Sequence, residues 1–157
     1  MAIKKIKVAF FADILKDNQD GVTNTIFQVA YNIDPDRFDY LFITPEPPID
    51  QQRFPFPVIT IPGLAFPLYK DYPIAIPWFN SNIKGALHRY EPDILHFAAP
   101  FTLGLWALSF GRKKGIPVVA TYHTHFVSYI DYYFRSLYVL VLQPMLNGIG
   151  PHCKYPG

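Results

Sequence analysis

The sequence predicts an α/β fold: a parallel sheet with helices on both faces. Three observations carry that expectation. Short apolar runs at Lys5–Ala12, Asp39–Thr44, Asp93–Phe97 and Pro117–Thr121 alternate with stretches of helical period. The runs are apolar nearly throughout, as strands buried on both faces are. Pro92 to Thr121 reads strand, helix, strand within a stretch suited to one right-handed βαβ unit.

The first strand, Lys5–Ala12 (KIKVAFFA), starts polar and ends strongly apolar. Asp13 to Asp20 is polar and reads as a loop. After Gly21, the residues Val22, Ile26, Val29, Ala30 and Ile33 recur at helical spacing. Strand, glycine-bearing loop and helix form the first half of a Rossmann-like unit. Asp34-Pro35-Asp36 ends the helix, because a residue before proline is pushed out of the helical region. Asp39–Thr44 (DYLFIT) is the next buried strand.

Pro45 to Pro77 holds nine prolines, which exclude a long helix there. Val58–Ile61 is a short strand inside it. The stretch is longer than an ordinary connection, as functional or mobile loops are. Phe54, Phe56, Phe66, Tyr69 and Tyr72 either pack beneath it or contact a lipid or greasy acceptor. Packing is the commoner use of aromatic side chains.

Trp78 to Tyr90 returns to a helical pattern, with Phe79, Ile83, Leu87 and Tyr90 on one face. Asp93–Phe97 is the following strand. Pro100 opens the next helix, a favoured first-turn position. Leu103, Trp106, Ala107 and Phe110 share one face of it. Arg112, Lys113 and Lys114 sit in its last turn, where the helix dipole favours cations, and Gly115 supplies the stop. Pro117–Thr121 is the last of the strands. Asp131 to Met145 is helical in pattern, with a kink expected at Pro144. Asn147–Gly157 (NGIGPHCKYPG) has no periodic face and reads as an irregular tail. The expected division is a domain over 1–146 and a tail over 147–157.

Composition narrows the function classes. A chain of 157 residues, half apolar and low in charge, suits one domain with a real core. A net charge of +2 with scattered basic residues gives no clustered basic face, so no nucleic-acid partner is expected. The single Cys153 excludes an internal disulfide. The apolar run Val8–Ala12 is too short for a signal peptide, and no stretch approaches a membrane span. The expected setting is cytoplasmic, with peripheral contact at the inner membrane face left open. There is no GxGxxG fingerprint, Walker loop or GxSxG elbow.

The segments PDILH, PF and GIPVVATYHTHF, in that order and spacing, resemble the N-terminal half of a retaining glycosyltransferase of family 4, in the GT-B group. The likeness is densest from Pro92 to Tyr133 and extends to Lys5–Ile33. Within the group it is nearest to mannosyl- and lipid-modifying transferases. The resemblance implies a Rossmann-like, acceptor-side domain that works with a second, donor-binding domain. That donor domain, with its E-x7-E pattern, is not in these 157 residues. The implied partners are a nucleotide-sugar donor, such as a GDP- or UDP-sugar, and a lipid or saccharide acceptor. The donor is a substrate, so no cofactor is expected. The isolated chain is expected to lack useful activity without a donor domain. A non-catalytic sugar- or lipid-binding module is the alternative, and a nicotinamide-dependent oxidoreductase ranks last.

Site residues are expected at the carboxyl ends of the strands, where ligands of such sheets sit. The resemblance puts His123, in the TYHTH motif, beside the transferred sugar and acceptor as a polar positioning group. It puts Gly21, Val22 and Thr23 beside the donor diphosphate, where a glycine lets backbone N–H groups approach an anion; by composition alone Gly21 simply caps the loop. Asn24 lies next to them. Asp13 ends the first strand, where it either meets the acceptor or caps a loop. Thr124 and His125 shape the acceptor pocket or cap the next loop. Tyr129 and Arg135 either bind a sugar-bearing or anionic acceptor or belong to a helix face. His123 and His125 form a His-x-His pair with no third ligand at suitable spacing, so no metal is expected. His96 is expected to be hydrogen-bonded and partly buried rather than a ligand.

Overall fold

A computed structural model describes residues 4–17, 20–66 and 69–121. These lie in one unit, Met1–His123; a second, Thr124–Gly157, falls outside the described residues, as does the expected boundary at 146. The strands are β1 (Ile6–Phe11), β2 (Phe38–Thr44), β3 (Val58–Thr60), β4 (Gly63–Phe66), β5 (Tyr69–Ala75), β6 (Ile94–Phe97) and β7 (Val118–Ala120). The helices are α1 (Gly21–Asn32), α2 (Ser81–Tyr90) and α3 (Thr102–Lys114).

Five strands form one sheet in the order β3-β2-β1-β6-β7, every pair parallel. Its centre is β1, paired through Ile6↔Phe38 to Phe11↔Ile43 on one side and Val8↔Ile94 to Phe11↔Phe97 on the other. Successive residues of a strand face opposite sides, and the packing follows that rule. Ala9 and Phe11 join Ile43, Leu95, Ile83 and Leu87 of α2, and Leu103, Trp106 and Ala107 of α3. Phe10 and Phe42 point the other way, against Ile26 and Ala30 of α1. Helices therefore cover both faces, as the sequence predicts.

Local signals explain most element ends. The N-cap of α1 is Asp20, whose Oδ1 accepts the Thr23 N–H at 2.7 Å. Asn80 caps α2 through Oδ1 and the Asn82 N–H at 2.9 Å. Gly115 closes α3 at φ 69°, a left-handed conformation that favours glycine. Val29, placed on the apolar face of α1 by spacing, is instead 48% exposed; the buried stripe is Thr23, Ile26 and Ala30.

Two elements differ from the sequence reading. The prolines of 45–77 bar a helix but admit an antiparallel hairpin, β4–β5, with Pro73 inside its second strand. A two-stranded ribbon is all edge, and edges tolerate a residue with no N–H to give. The helix expected from Trp78 begins at Ser81, after a separate 3-10 turn at Pro77–Phe79. In the preceding loop, Phe54 is buried, edge-on to Phe42 at 4.9 Å and to Phe27 at 5.3 Å. Phe56 packs on Tyr40 at 5.5 Å. Both aromatics thus pack beneath the loop.

Candidate functional site

The chain runs from β1 outward through β2 and β3 to one edge, and through β6 and β7 to the other. Strand order therefore reverses between β1 and β6. In open parallel sheets the crevice outside the carboxyl ends at such a reversal is the usual ligand position. Backbone bonds continue the ladder past the strand ends here. Ala98 N–H donates to the Phe11 carbonyl at 3.2 Å, and Ala12 N–H to the Ile43 carbonyl at 3.0 Å. The rim is held further by Leu15 N–H on the Glu46 carbonyl at 2.8 Å.

Asp13 is the first titratable group beyond β1, and it stands near the start of α3. The N-cap residue of α3 is Phe101, whose side chain makes no cap hydrogen bond. The first N–H groups of a helix have no partner within it. The Leu103 N–H is near enough to the Asp13 carboxyl to favour its charged form. The other carboxyl oxygen, Oδ2, is closed off from solvent and has no hydrogen-bond partner; the same holds for Thr102 Oγ1. Burial pushes the Asp13 carboxyl up from 3.8 to about 7, against the opposing pull of the Leu103 N–H and its own N–H. At neutral pH its acid and carboxylate forms are therefore both populated.

Gly104 explains how this helix start packs. A Cβ there would stand 2.2 Å from the Ala99 carbonyl oxygen and 2.8 Å from the Phe97 ring. Only a glycine lets the first turn of α3 lie this close to the loop leaving β6.

Gly21 opens α1 and is exposed, with nothing within 4 Å of an added Cβ. Val22 is partly buried against the α1 side of the core. Thr23 is buried, and its N–H is engaged by Asp20. Asn24 is exposed, with its N–H on the Asp20 carbonyl at 3.0 Å. An anion at this helix start would meet the Gly21 and Val22 backbone first, and the Thr23 N–H only by displacing Asp20.

His96 hydrogen-bonds Thr121 Oγ1 through Nε2 and stands edge-on to Phe10, with ring centroids 4.5 Å apart. It is thus the bonded, partly buried histidine that the sequence suggests, tying β6 to the end of β7. His123, Thr124, His125, Tyr129 and Arg135 lie outside the described residues. Among the described residues no group of three His, Cys, Asp or Glu could hold a metal ion. Nor is any helix among them long and apolar enough to cross a membrane.

The sequence reading missed Thr102. Its signal is indirect: a helix whose start offers only Pro100 and Phe101 has no cap of its own, so its first N–H groups look to a distant side chain, water or a ligand.

Comparison with known proteins agrees with this architecture. A sequence profile described as Glycosyltransferase Family 4 matches residues 19–155. The chain is 30% identical over 135 residues to a GDP-mannose-dependent α-mannosyltransferase of Corynebacterium glutamicum, covering 83% of this chain and 32% of that protein. It is 29% identical over 133 residues to the enzyme of the same name from Mycolicibacterium smegmatis, with 82% and 35% covered. An α-monoglucosyldiacylglycerol synthase of Streptococcus pneumoniae is 25% identical over 135 residues, with 85% and 30% covered. The chain thus spans about a third of the length of these curated relatives.

Proposed function

The chain belongs to glycosyltransferase family 4, and from that premise we propose that it is the N-terminal, acceptor-side domain of a sugar transferase. The reaction is transfer from a nucleotide-sugar donor to a lipid or saccharide acceptor, with retention of configuration. The observation that carries the reading is the strand-order reversal between β1 and β6, with a carboxyl oxygen of Asp13 at the end of β1 and the Thr102 hydroxyl at the start of α3 both buried without partners. Such groups cost free energy unless something pairs with them. A polar ligand at the usual ligand position would do so.

The roles divide as follows. Asp13 and the start of α3 hold the acceptor. The open N-terminus of α1, at Gly21 and Val22, faces the donor diphosphate, with Thr23 behind it and Asn24 beside it. His123 holds the acceptor or the departing sugar through a ring nitrogen, with Thr124, His125, Tyr129 and Arg135 around the acceptor. Transfer needs both substrates held in one oriented site, and the chain spans only about a third of its relatives. The 157 residues alone are therefore proposed to bind acceptor without useful turnover. The names of the relatives support a GDP-sugar donor and a glycerolipid acceptor. A lipid acceptor would place the protein against the cytoplasmic face of a membrane, held peripherally.

A chimera tests this. The chain replaces the matched segment of the Corynebacterium glutamicum enzyme, and mannose transfer from GDP-mannose is followed. The expected result is transfer that falls at least tenfold in His123→Ala, within the range for a lost positioning or acid–base group. A folded chimera that binds GDP-mannose and transfers nothing would favour the non-catalytic binding module.

A further inference from the structure

His96 stands in register between Phe10 of β1 and Val119 of β7. Registered neighbours in a parallel sheet share a face. Phe10 packs on the α1 side, and the His96 ring stands edge-on to it with centroids 4.5 Å apart. The imidazole thus lies on the sheet face that α1 covers, at the strand next to the reversal.

Strand β7 ends at Ala120, yet Thr121 is still held by the sheet. Its N–H donates to the Phe97 carbonyl at 3.0 Å, and its Oγ1 is hydrogen-bonded to His96 Nε2. Thr121 is therefore fixed twice, once by backbone and once by side chain. The β6–β7 ladder already joins the strands from Leu95↔Val118 to Phe97↔Ala120, so the side-chain bond is not needed to pair them. What it adds is the orientation of Thr121. Tyr122 and His123 follow Thr121 directly in the sequence.

We infer that His96 is a positioning residue for the transfer reaction: bonded to Thr121, it sets how the chain leaves the sheet toward His123. This rests on the family 4 transferase reading above, in which His123 touches the acceptor or the departing sugar. His96 acts through Thr121 and has no contact with substrate in this account. The leverage is large, because a misplacement of about 1 Å in a reacting site costs up to about a hundredfold in rate.

The test pairs kinetics of the chimera with histidine NMR of the 157-residue chain. Thr121→Val removes the hydroxyl and keeps the shape, whereas Thr121→Ser keeps the hydroxyl. Glutamine can put a terminal amide where Nε2 lies, and asparagine is too short, so His96→Gln should rescue and His96→Asn should not. In the chimera, Thr121→Val and His96→Asn should each lower kcat about tenfold or more while donor KM stays within about twofold. Their double variant should be no slower than the worse single one, since both remove one interaction. Thr121→Ser and His96→Gln should keep kcat within about threefold. In the 157-residue chain, the His123 ring signals should move in the Val and Asn variants and stay in the Ser and Gln variants.

Wild-type kcat in folded Thr121→Val, with only a lower unfolding temperature, would make the bond a strut and overturn the inference. So would losses that multiply in the double variant, or His123 signals that no variant moves. A folded chimera that transfers nothing would sink the transferase reading, while His123 signals that still follow the four variants would leave the coupling of His96 to that motif standing.

Discussion

The carboxyl of Asp13, on the loop leaving the central strand, is pulled down by the backbone N–H of Leu103, at the start of a helix on the far side of the strand-order reversal, and pushed up more strongly by burial. It stands beside a helix start that Phe101 does not cap, and its Oδ2 is buried without a hydrogen-bond partner.

Stability should fall as pH rises. The Asp13 carboxyl stands at about 7 in the folded chain against an ordinary 3.8. Between those values the folded state binds more protons than the unfolded state, so stability declines with rising pH. The contribution is fully present below about pH 4 and lost above about pH 7. The shift sets a ceiling of about 4 kcal/mol. Asp13→Asn removes the proton and should be more stable than wild type at pH 8 by about 1–3 kcal/mol, with a flatter profile. Urea midpoints at pH 5 and pH 8 check this, and identical profiles for the two proteins would dismiss the burial argument.

Gly21→Ala isolates a ligand effect. An added Cβ meets nothing within 4 Å, and alanine is the better helix former by up to about 1 kcal/mol. The fold should be unharmed or slightly stabilised. If a diphosphate lies against this backbone, the donor KM of the chimera should still rise, by about tenfold for each 1.4 kcal/mol lost. An unchanged donor KM would leave Gly21 as a loop residue only.

Gly104→Ala should be far harsher than Gly111→Ala. The first puts a methyl 2.2 Å from a backbone oxygen, which cannot turn aside. The second meets the Val118 Cγ2 at 2.3 Å, the end of a side chain, although the Ile116 carbonyl at 3.0 Å limits relief. Overpacking of this kind costs about 1–3 kcal/mol, more where backbone must move. Thermal unfolding of both variants gives the ranking, and equal losses would contradict it.

Phe54→Ala should behave as a core deletion. Phe54 is buried against Phe42 and Phe27, so its loss is expected to cost about 3–5 kcal/mol. Vesicle binding by the folded fraction should not change. Weaker vesicle binding at undiminished stability would return Phe54 to the role of a lipid contact.

Much of this was legible in the sequence, for identifiable reasons. The apolar runs at Val8–Phe11 and Leu41–Ile43 are buried because the central strands are covered on both faces, and periodicity reports that directly. The stripe Leu103, Trp106, Ala107 was equally plain. The β4–β5 hairpin was not, because proline signals what a segment cannot be and says little about edge pairing. The approach of Asp13 to the start of α3 escaped because it brings together residues far apart in sequence, and periodicity reports only local spacing. Asp13 was legible as a candidate, and Thr102 was not. His123, on which the family resemblance leans most, lies outside the described residues.

The most direct measurement is steady-state kinetics of the chimera carrying Asp13→Ala, with donor and acceptor varied separately. If the β1/β6 crevice is the acceptor side of a family 4 transferase, acceptor KM should rise about tenfold or more while donor KM stays within about twofold, the pattern of lost binding to one substrate. A rise in donor KM at constant acceptor KM, or no change in either, would contradict the assignment.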